Sequence, residues 1–115
     1  METGQDRHNG EVPRLLEPSS EMPESAARAQ RMMAALVRVD IARYLVAHPL
    51  STIGDIVKGT GLGRAAVRAG LGAIDDIGFL VKDGEGELRG HHVRYSVDRR
   101  SLMTAFNELA VYTFG

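Results

Sequence analysis

From Ser25 onward the chain carries apolar residues at helical intervals. Met32, Leu36, Val39, Arg43 and Val46 step three to four residues apart along one side, and Met33, Val37, Ile41, Tyr44 and Leu45 fill a second. A helix that is apolar on two sides usually buries both. One side would pack on its own domain and the other would suit a partner subunit. Ser25 is the expected N-cap. The helix is expected to stop near His48, because Pro49 disfavours helical geometry in the residue before it. A kink or break is expected around Arg38–Asp40.

A second helix should open at Thr52. Thr52 and Asp55 form a capping box with Asp in place of the usual Glu. Ile53, Ile56 and Val57 give its buried face, and Gly59, Gly61 and Gly63 break it. A left-handed turn residue is expected at Gly61, and Gly63 is the expected N-cap of the next helix. That helix is expected from about Arg64 to Ile77, closed by Gly78. At about 100° per residue, Val67, Leu71 and Ile74 share one side. Ala65, Ala69 and Gly72 lie opposite, with Arg64 and Arg68 on the flank between. Gly70 and Gly72 each cost about 1 kcal/mol of helix propensity relative to Ala. Such a cost is expected where something must approach the backbone closely.

Phe79–Lys82 read as a short strand, Asp83–Gly86 as a turn, and Leu88–Val97 as a returning strand in which Val93, Tyr95 and Val97 alternate. Asp98 then caps a last helix to about Tyr112. On it Leu102, Phe106, Leu109 and Thr113 share a face, with Met103, Ala110 and Phe114 beside it. Residues 1–24 are different. They hold three of the four Pro and no apolar period, and are expected to be a flexible acidic tail ahead of a single domain at 25–115. Within the tail Val12, Leu15 and Leu16 form a small apolar cluster, either incidental or able to dock on a partner.

Charge sharpens this division. The net charge of −1 hides a tail at −4 over residues 1–25 and a body at +3 over residues 26–115. A mildly basic body is compatible with nucleic-acid binding without requiring it. The absence of Cys excludes disulfides, thiolate metal sites and a thiol nucleophile. No apolar run is long enough to span a bilayer and the N-terminus has no apolar signal core, so a cytoplasmic location is expected.

The order helix, helix, turn, helix, hairpin, helix is mainly α with a small β-hairpin (α+β). Over Thr52–Asp98, TIGDIVKGTGLGRAAVRAGLGAIDDIGFLVKDGEGELRGHHVRYSVD, the chain resembles the ArsR-type bacterial transcriptional regulators, with the MarR type as a near relative. The resemblance extends more loosely to the first helix. It implies a winged helix-turn-helix whose N- and C-terminal helices form a dimer interface, and a homodimer on a roughly palindromic site in double-stranded DNA. Met32, Leu36, Leu102, Phe106, Leu109 and Tyr112 would line that interface. The helix from Arg64 would enter the major groove and the hairpin would act as a wing. Typical members carry polar residues on that helix, whereas this chain has Ala65, Ala66, Ala69, Gly70 and Gly72.

Residue chemistry divides the work. Arg pairs bidentately with guanine O6 and N7, so Arg64 and Arg68 are the expected base readers. Ala65 and Ala69 would meet thymine methyls and, with Gly63, let the helix seat deeply. Lys58, Arg89 and Arg94 would hold phosphates, with His91 and His92 adding to the wing. Asp75 and Asp76 repel phosphate, so their end of the helix should point away. The plainer reading makes the two arginines a solvated helix face.

Other chemistries fit less well. Adjacent residues on a strand point to opposite faces, so His91 and His92 do not readily share a metal. His8 and His48 are isolated. Gly59–Gly63 is not a Walker A loop, because Lys58 precedes the glycines. No nucleophile stands with a base and an orienting partner, so no enzyme activity, cofactor or metal is expected. The functions that remain are a dimeric repressor occluding a promoter, a winged-helix protein coating a plasmid centromere, and a winged-helix interaction module that binds no DNA. An inducing small molecule is left open.

Overall fold

Two helices, not one, cover the stretch from Glu24 to Ala47. The structure, a computed structural model, describes residues 21–84 and 93–115. Helix α1 (Glu24–Met33) starts behind Pro23, one residue before the expected cap. Proline suits a helix start, where its missing N–H costs nothing. The Ser25 hydroxyl is spent elsewhere, donating to the Glu108 carboxylate. Helix α2 (Leu36–Ala47) begins after Ala35, whose φ of −138° and ψ of 131° are extended. The break therefore precedes the expected Arg38–Asp40 kink. Neither Gly nor Pro marks it. The Arg38 guanidinium donates to the Arg31 carbonyl across the corner, and the Ala34 N–H bonds the same oxygen.

The break lets α1 and α2 serve different neighbours. Helix α1 lies along α5 (Arg99–Phe114), while α2 packs on α3 (Ile53–Thr60) and α4 (Arg64–Ile77). The turn between α3 and α4 follows local chemistry. Thr52 accepts from the Asp55 N–H at 3.1 Å, and Asp55 accepts from the Thr52 N–H at 3.0 Å. Gly61 takes φ +77° and Gly78 takes φ +100°, values that favour glycine. Asp98 caps α5 through the Ser101 N–H at 3.2 Å.

After α4 the chain forms an antiparallel hairpin of β1 (Leu80–Asp83) and β2 (Arg94–Val97), in the register Leu80↔Val97 to Asp83↔Arg94. The first strand has the expected four residues shifted by one, and the described part of the second runs from Arg94. Phe79 is not part of the sheet. It is fully buried, and its carbonyl accepts from the Asp98 N–H at 2.9 Å. Ser51 adds a one-residue bridge to Tyr95 on the other side of β2. The expected turn and the outer part of the second strand lie partly outside the described residues, as does most of the tail.

The core gathers Met32, Ile41, Leu45, Ile56, Val67, Ile74 and Phe79, all essentially sealed from solvent. Each such side chain contributes about 1.5–3 kcal/mol by leaving water. Arg28 of α1 ties this core to the end of α4. Its Nε donates to the Ile77 carbonyl at 2.9 Å, and its guanidinium lies 4.5 Å from the centre of the Phe79 ring.

Two expected interface residues are corrected here. Met32 is 1% exposed and Leu102 7%, both within the protomer's own core, so neither has surface to offer a partner. Spacing put them on an apolar face but did not say which body they face. Leu36 is 79% exposed and Tyr112 is exposed at the far end of α5, while Phe106 and Leu109 are half-buried. Among the described residues, no helix is long and apolar enough to cross a membrane.

Candidate nucleic-acid interface

Helix α4 meets the core with Val67, Gly70, Leu71, Ile74 and Ile77. Its other side is open. Arg64, Ala65, Arg68, Ala69, Gly72 and Asp76 are all exposed, and at about 100° per residue they share one continuous arc. The small-residue face is therefore bare, as its spacing implied. Gly70 is the exception. A Cβ there would come 2.4 Å from Ile41 Cδ1 and 3.1 Å from Val37 Cγ1. The close approach at Gly70 is made by the protein's own α2. At Gly72 a Cβ would meet nothing within 4 Å.

The arginines flank this face differently. Arg68 lines a cavity of about 200 Å³ between α4 and the hairpin, together with Ile53, Leu71, Gly72, Asp75, Leu80, Lys82 and Tyr95. Arg64 folds back over the first turn of α3, where its Nη2 lies 4.0 Å from the position a Cβ on Gly54 would take. Lys58 is exposed in the last turn of α3, and Gly63 is exposed at the start of α4.

The two acids at the end of α4 behave differently from each other. Asp75 faces the hairpin, where Lys82 Nζ lies 3.1 Å from its Oδ2. Asp76 stays exposed on the same arc as Ala65 and Ala69. The positive part of the arc is thus confined to the first two turns, and its neutral part ends at Gly72. Sequence reasoning missed Lys82. A cross-element ion pair leaves no local spacing to find it by.

At the base of the hairpin Arg94 is exposed, and its Nη1 donates to the Leu50 carbonyl at 3.2 Å. The Leu50 N–H bonds Ser96 Oγ at 2.9 Å, and Leu50 itself holds φ +62°. Ser51, almost fully buried, exchanges two backbone hydrogen bonds with Tyr95, at 3.0 and 2.7 Å, and its hydroxyl donates to the His48 carbonyl. These bonds fix the hairpin's root against the segment that joins α2 to α3. Arg94 is therefore in part a structural clasp. Arg89, His91 and His92 lie outside the described residues.

The cap carboxylates are the groups with shifted acidity. Asp55 is held below the usual carboxylate range by the Thr52 backbone N–H and then its side chain. Asp98 is held below it by the Ser101 hydroxyl and then its N–H. Both are exposed helix caps, not acid–base groups in a cleft.

The order of elements, the αL turn between α3 and α4 and the hairpin rooted beside them decide the architecture. The fold is a winged helix-turn-helix. No protein-family model matches the sequence, and no curated protein does. Among solved structures, the chain is similar to a homodimeric winged helix-turn-helix DNA-binding domain from Mycobacterium bovis, a fragment of a possible ArsR-family transcriptional regulator studied by NMR. The TM-score is 0.58 at 20% identity, covering 92% of this chain and 87% of that one. At that identity the likeness establishes the shared winged helix-turn-helix fold.

Proposed function

We propose that this chain is a dimeric, sequence-specific DNA-binding transcriptional regulator that represses by occluding a promoter. The observation that carries this reading is the bare arc of α4. Ala65, Ala69 and Gly72 leave the main chain unshielded, and Arg64 and Arg68 occupy exposed positions along its edge. A solvated helix face with no partner would gain stability from Ala or Glu in place of Gly72.

In this reading Arg64 and Arg68 address guanines, and Ala65 and Ala69 contact thymine methyls. Gly63 allows the helix N-terminus to approach phosphate. Lys58 and Arg94 position the domain through phosphates, with Arg89, His91 and His92 of the wing. Asp76 sets the tilt, because phosphate repels it and the N-terminal half of α4 must enter first. The Lys82–Asp75 pair keeps the hairpin beside the helix. A second copy covers Leu36, Phe106, Leu109 and Tyr112 together with the exposed Val111 and Phe114. A two-fold dimer then presents its reading helices to half-sites about 34 Å apart. The neighbour from Mycobacterium bovis, described as a homodimeric DNA-binding domain, supports this arrangement.

Selection of bound duplexes from a random pool tests the reading directly. A palindromic consensus is expected, with affinity falling steeply as salt rises. Arg64→Ala and Arg68→Ala should lose preference at single positions, while Lys58→Ala should weaken all sequences alike. Normal recognition of the selected site by a folded Arg64→Ala/Arg68→Ala double variant would overturn the assigned face. A long repeated footprint would instead indicate centromere coating.

A further inference from the structure

A cleft of about 410 Å³ opens between α2 and the last turn of α3. No residue of α4 lines it, so it is separate from the bare arc. The Tyr44 and His48 rings line it as a stacked pair, with centroids 4.3 Å apart and 19° between their planes. Gly59 and Thr60 line it from α3, and the missing side chain at Gly59 lets the Tyr44 ring lie against the main chain there. Asp40 and Arg43 complete the lining, and both are exposed.

The two charges are the informative part. Asp40 and Arg43 stand one turn apart on α2, the spacing at which opposite charges can pair on a helix. They do not pair with each other, and among the described residues neither side chain has an ion-pair or hydrogen-bond partner. Backbone charge adds to the acidic side. Helix α2 ends at Ala47 and α3 at Thr60, and both ends border the cleft. Each end carries the negative pole of its helix. The Gly59 and Thr60 carbonyls accept no hydrogen bond among the described residues. One cavity thus favours a cation beside Asp40 and the helix ends, and an anion beside Arg43.

We propose that this cleft binds a small zwitterion of the aromatic amino-acid class. Its ammonium meets Asp40 and the carbonyl end of α3, its carboxylate meets the Arg43 guanidinium, and its ring packs on the Tyr44–His48 pair. A simple amine would leave Arg43 unanswered and set a second cation beside it. A simple carboxylate would leave Asp40 unanswered and bring its charge to two negative helix ends. A zwitterion without a ring would leave the ring wall in water. Small-molecule sites span about 300–1,000 Å³, and a cavity near the lower end suits a ligand with one ring. Binding here does not depend on α4 contacting DNA. It bears on the joint that seats α3 on α2, because Tyr44 and Gly59 belong both to the cleft and to that joint.

Titration of the isotope-labelled full-length protein with L-phenylalanine, phenethylamine and phenylpropanoate tests the site, since the second probe lacks the carboxylate and the third the ammonium. Phenylalanine should shift the amides of Tyr44, His48, Gly59 and Thr60 saturably below about 10 mM. Each single-charge probe should bind about fivefold more weakly, the upper end for an exposed ion pair. Asp40→Asn should weaken phenylalanine and phenethylamine and spare phenylpropanoate. Arg43→Gln should weaken phenylalanine and phenylpropanoate and spare phenethylamine. In each variant the spared probe shows that the cleft is still formed. Absence of a saturable shift at these amides overturns the site. Equal affinity for the three probes overturns the zwitterion class. Variants that weaken all three probes alike, or none, overturn the assigned contacts.

Discussion

The Tyr44 ring fills the space that a side chain on Gly59 would need. A Cβ at Gly59 would lie 2.1 Å from Tyr44 Cε1 and 2.7 Å from Cζ. The ring also stacks on His48, with centroids 4.3 Å apart. The Nδ1 of His48 lies 3.2 Å from the Tyr44 carbonyl at the end of α2. Glycine at this position thus sets the distance between α2 and α3, and with it the seat of the whole turn.

Gly59→Ala gains about 1 kcal/mol of helix propensity and meets an overpacking cost of about 1–3 kcal/mol. Tyr44 is only partly buried, so the ring can swing out, losing its stack on His48. We expect a net loss of about 1 kcal/mol in urea denaturation. In a Tyr44→Ala background the same substitution should become neutral or stabilising. An equal cost in both backgrounds would show that the ring is not what Gly59 accommodates.

Gly70 and Ile41 make a second such contact, this time inside the core. Ile41 Cδ1 lies 2.4 Å from where a Cβ on Gly70 would be, and Ile41 is fully buried. Gly70→Ala should destabilise by about 1–3 kcal/mol despite its better propensity. Ile41→Val deletes that methyl. The double variant should recover most of the loss, and thermal or urea melts of the four-protein cycle will read the coupling.

The parts of the fold that local chemistry decides were legible in the chain. The Thr52–Asp55 box, the left-handed turn at Gly61, the helix stop at Gly78 and the Asp98 cap each rest on neighbours within four residues. The break at Ala34–Ala35 was not legible, because alanine favours helix and the break serves packing on two different partners. Gly70 and Gly72 make the same point within the candidate site. Sequence marks both as permissive, but they stand about 200° apart on the helix. One meets α2 and the other faces open space, a distinction only the neighbours supply. Met32 and Leu102 were placed on an apolar face correctly and given the wrong partner. The arc of Arg64, Ala65, Arg68 and Ala69 followed from helical period alone, whereas the Lys82–Asp75 and Arg94–Leu50 contacts join residues distant in the chain.

Acid should loosen the caps. Asp55 and Asp98 both have carboxyls held below their usual range, by Thr52 and Ser101 respectively. A depressed native value means that the unfolded chain binds the proton more readily. The stabilisation is therefore complete above the unfolded value, about pH 3.9, and is lost as pH falls through the lower native values. The melting temperature should be level with respect to these groups above about pH 5 and fall below about pH 4. In Asp55→Asn/Asp98→Asn the amide oxygens still accept the cap bonds but do not titrate, so the acid-side fall should be shallower. An identical acid limb in the double variant would remove these two caps from the pH response.

Gly72 separates stability from function. It lies mid-helix on the exposed arc, with nothing within 4 Å of an added Cβ. Gly72→Ala should therefore stabilise the free protein by about 0.5–1 kcal/mol through helix propensity alone. If the main chain of α4 lies against base edges, the added methyl stands at the point of closest approach. DNA affinity should then fall by about tenfold, a loss of about 1.4 kcal/mol, while the melting temperature rises. The opposite signs are what identify a contact surface, since a structural glycine would move both quantities together. Gly70→Ala serves as the internal contrast, because its cost is paid to Ile41 and appears in the melt. A Gly72→Ala protein that melts higher and binds its duplex as tightly as the parent would mean that this stretch of α4 stands clear of DNA. The reading face would then shrink to its first turn, around Arg64 and Ala65.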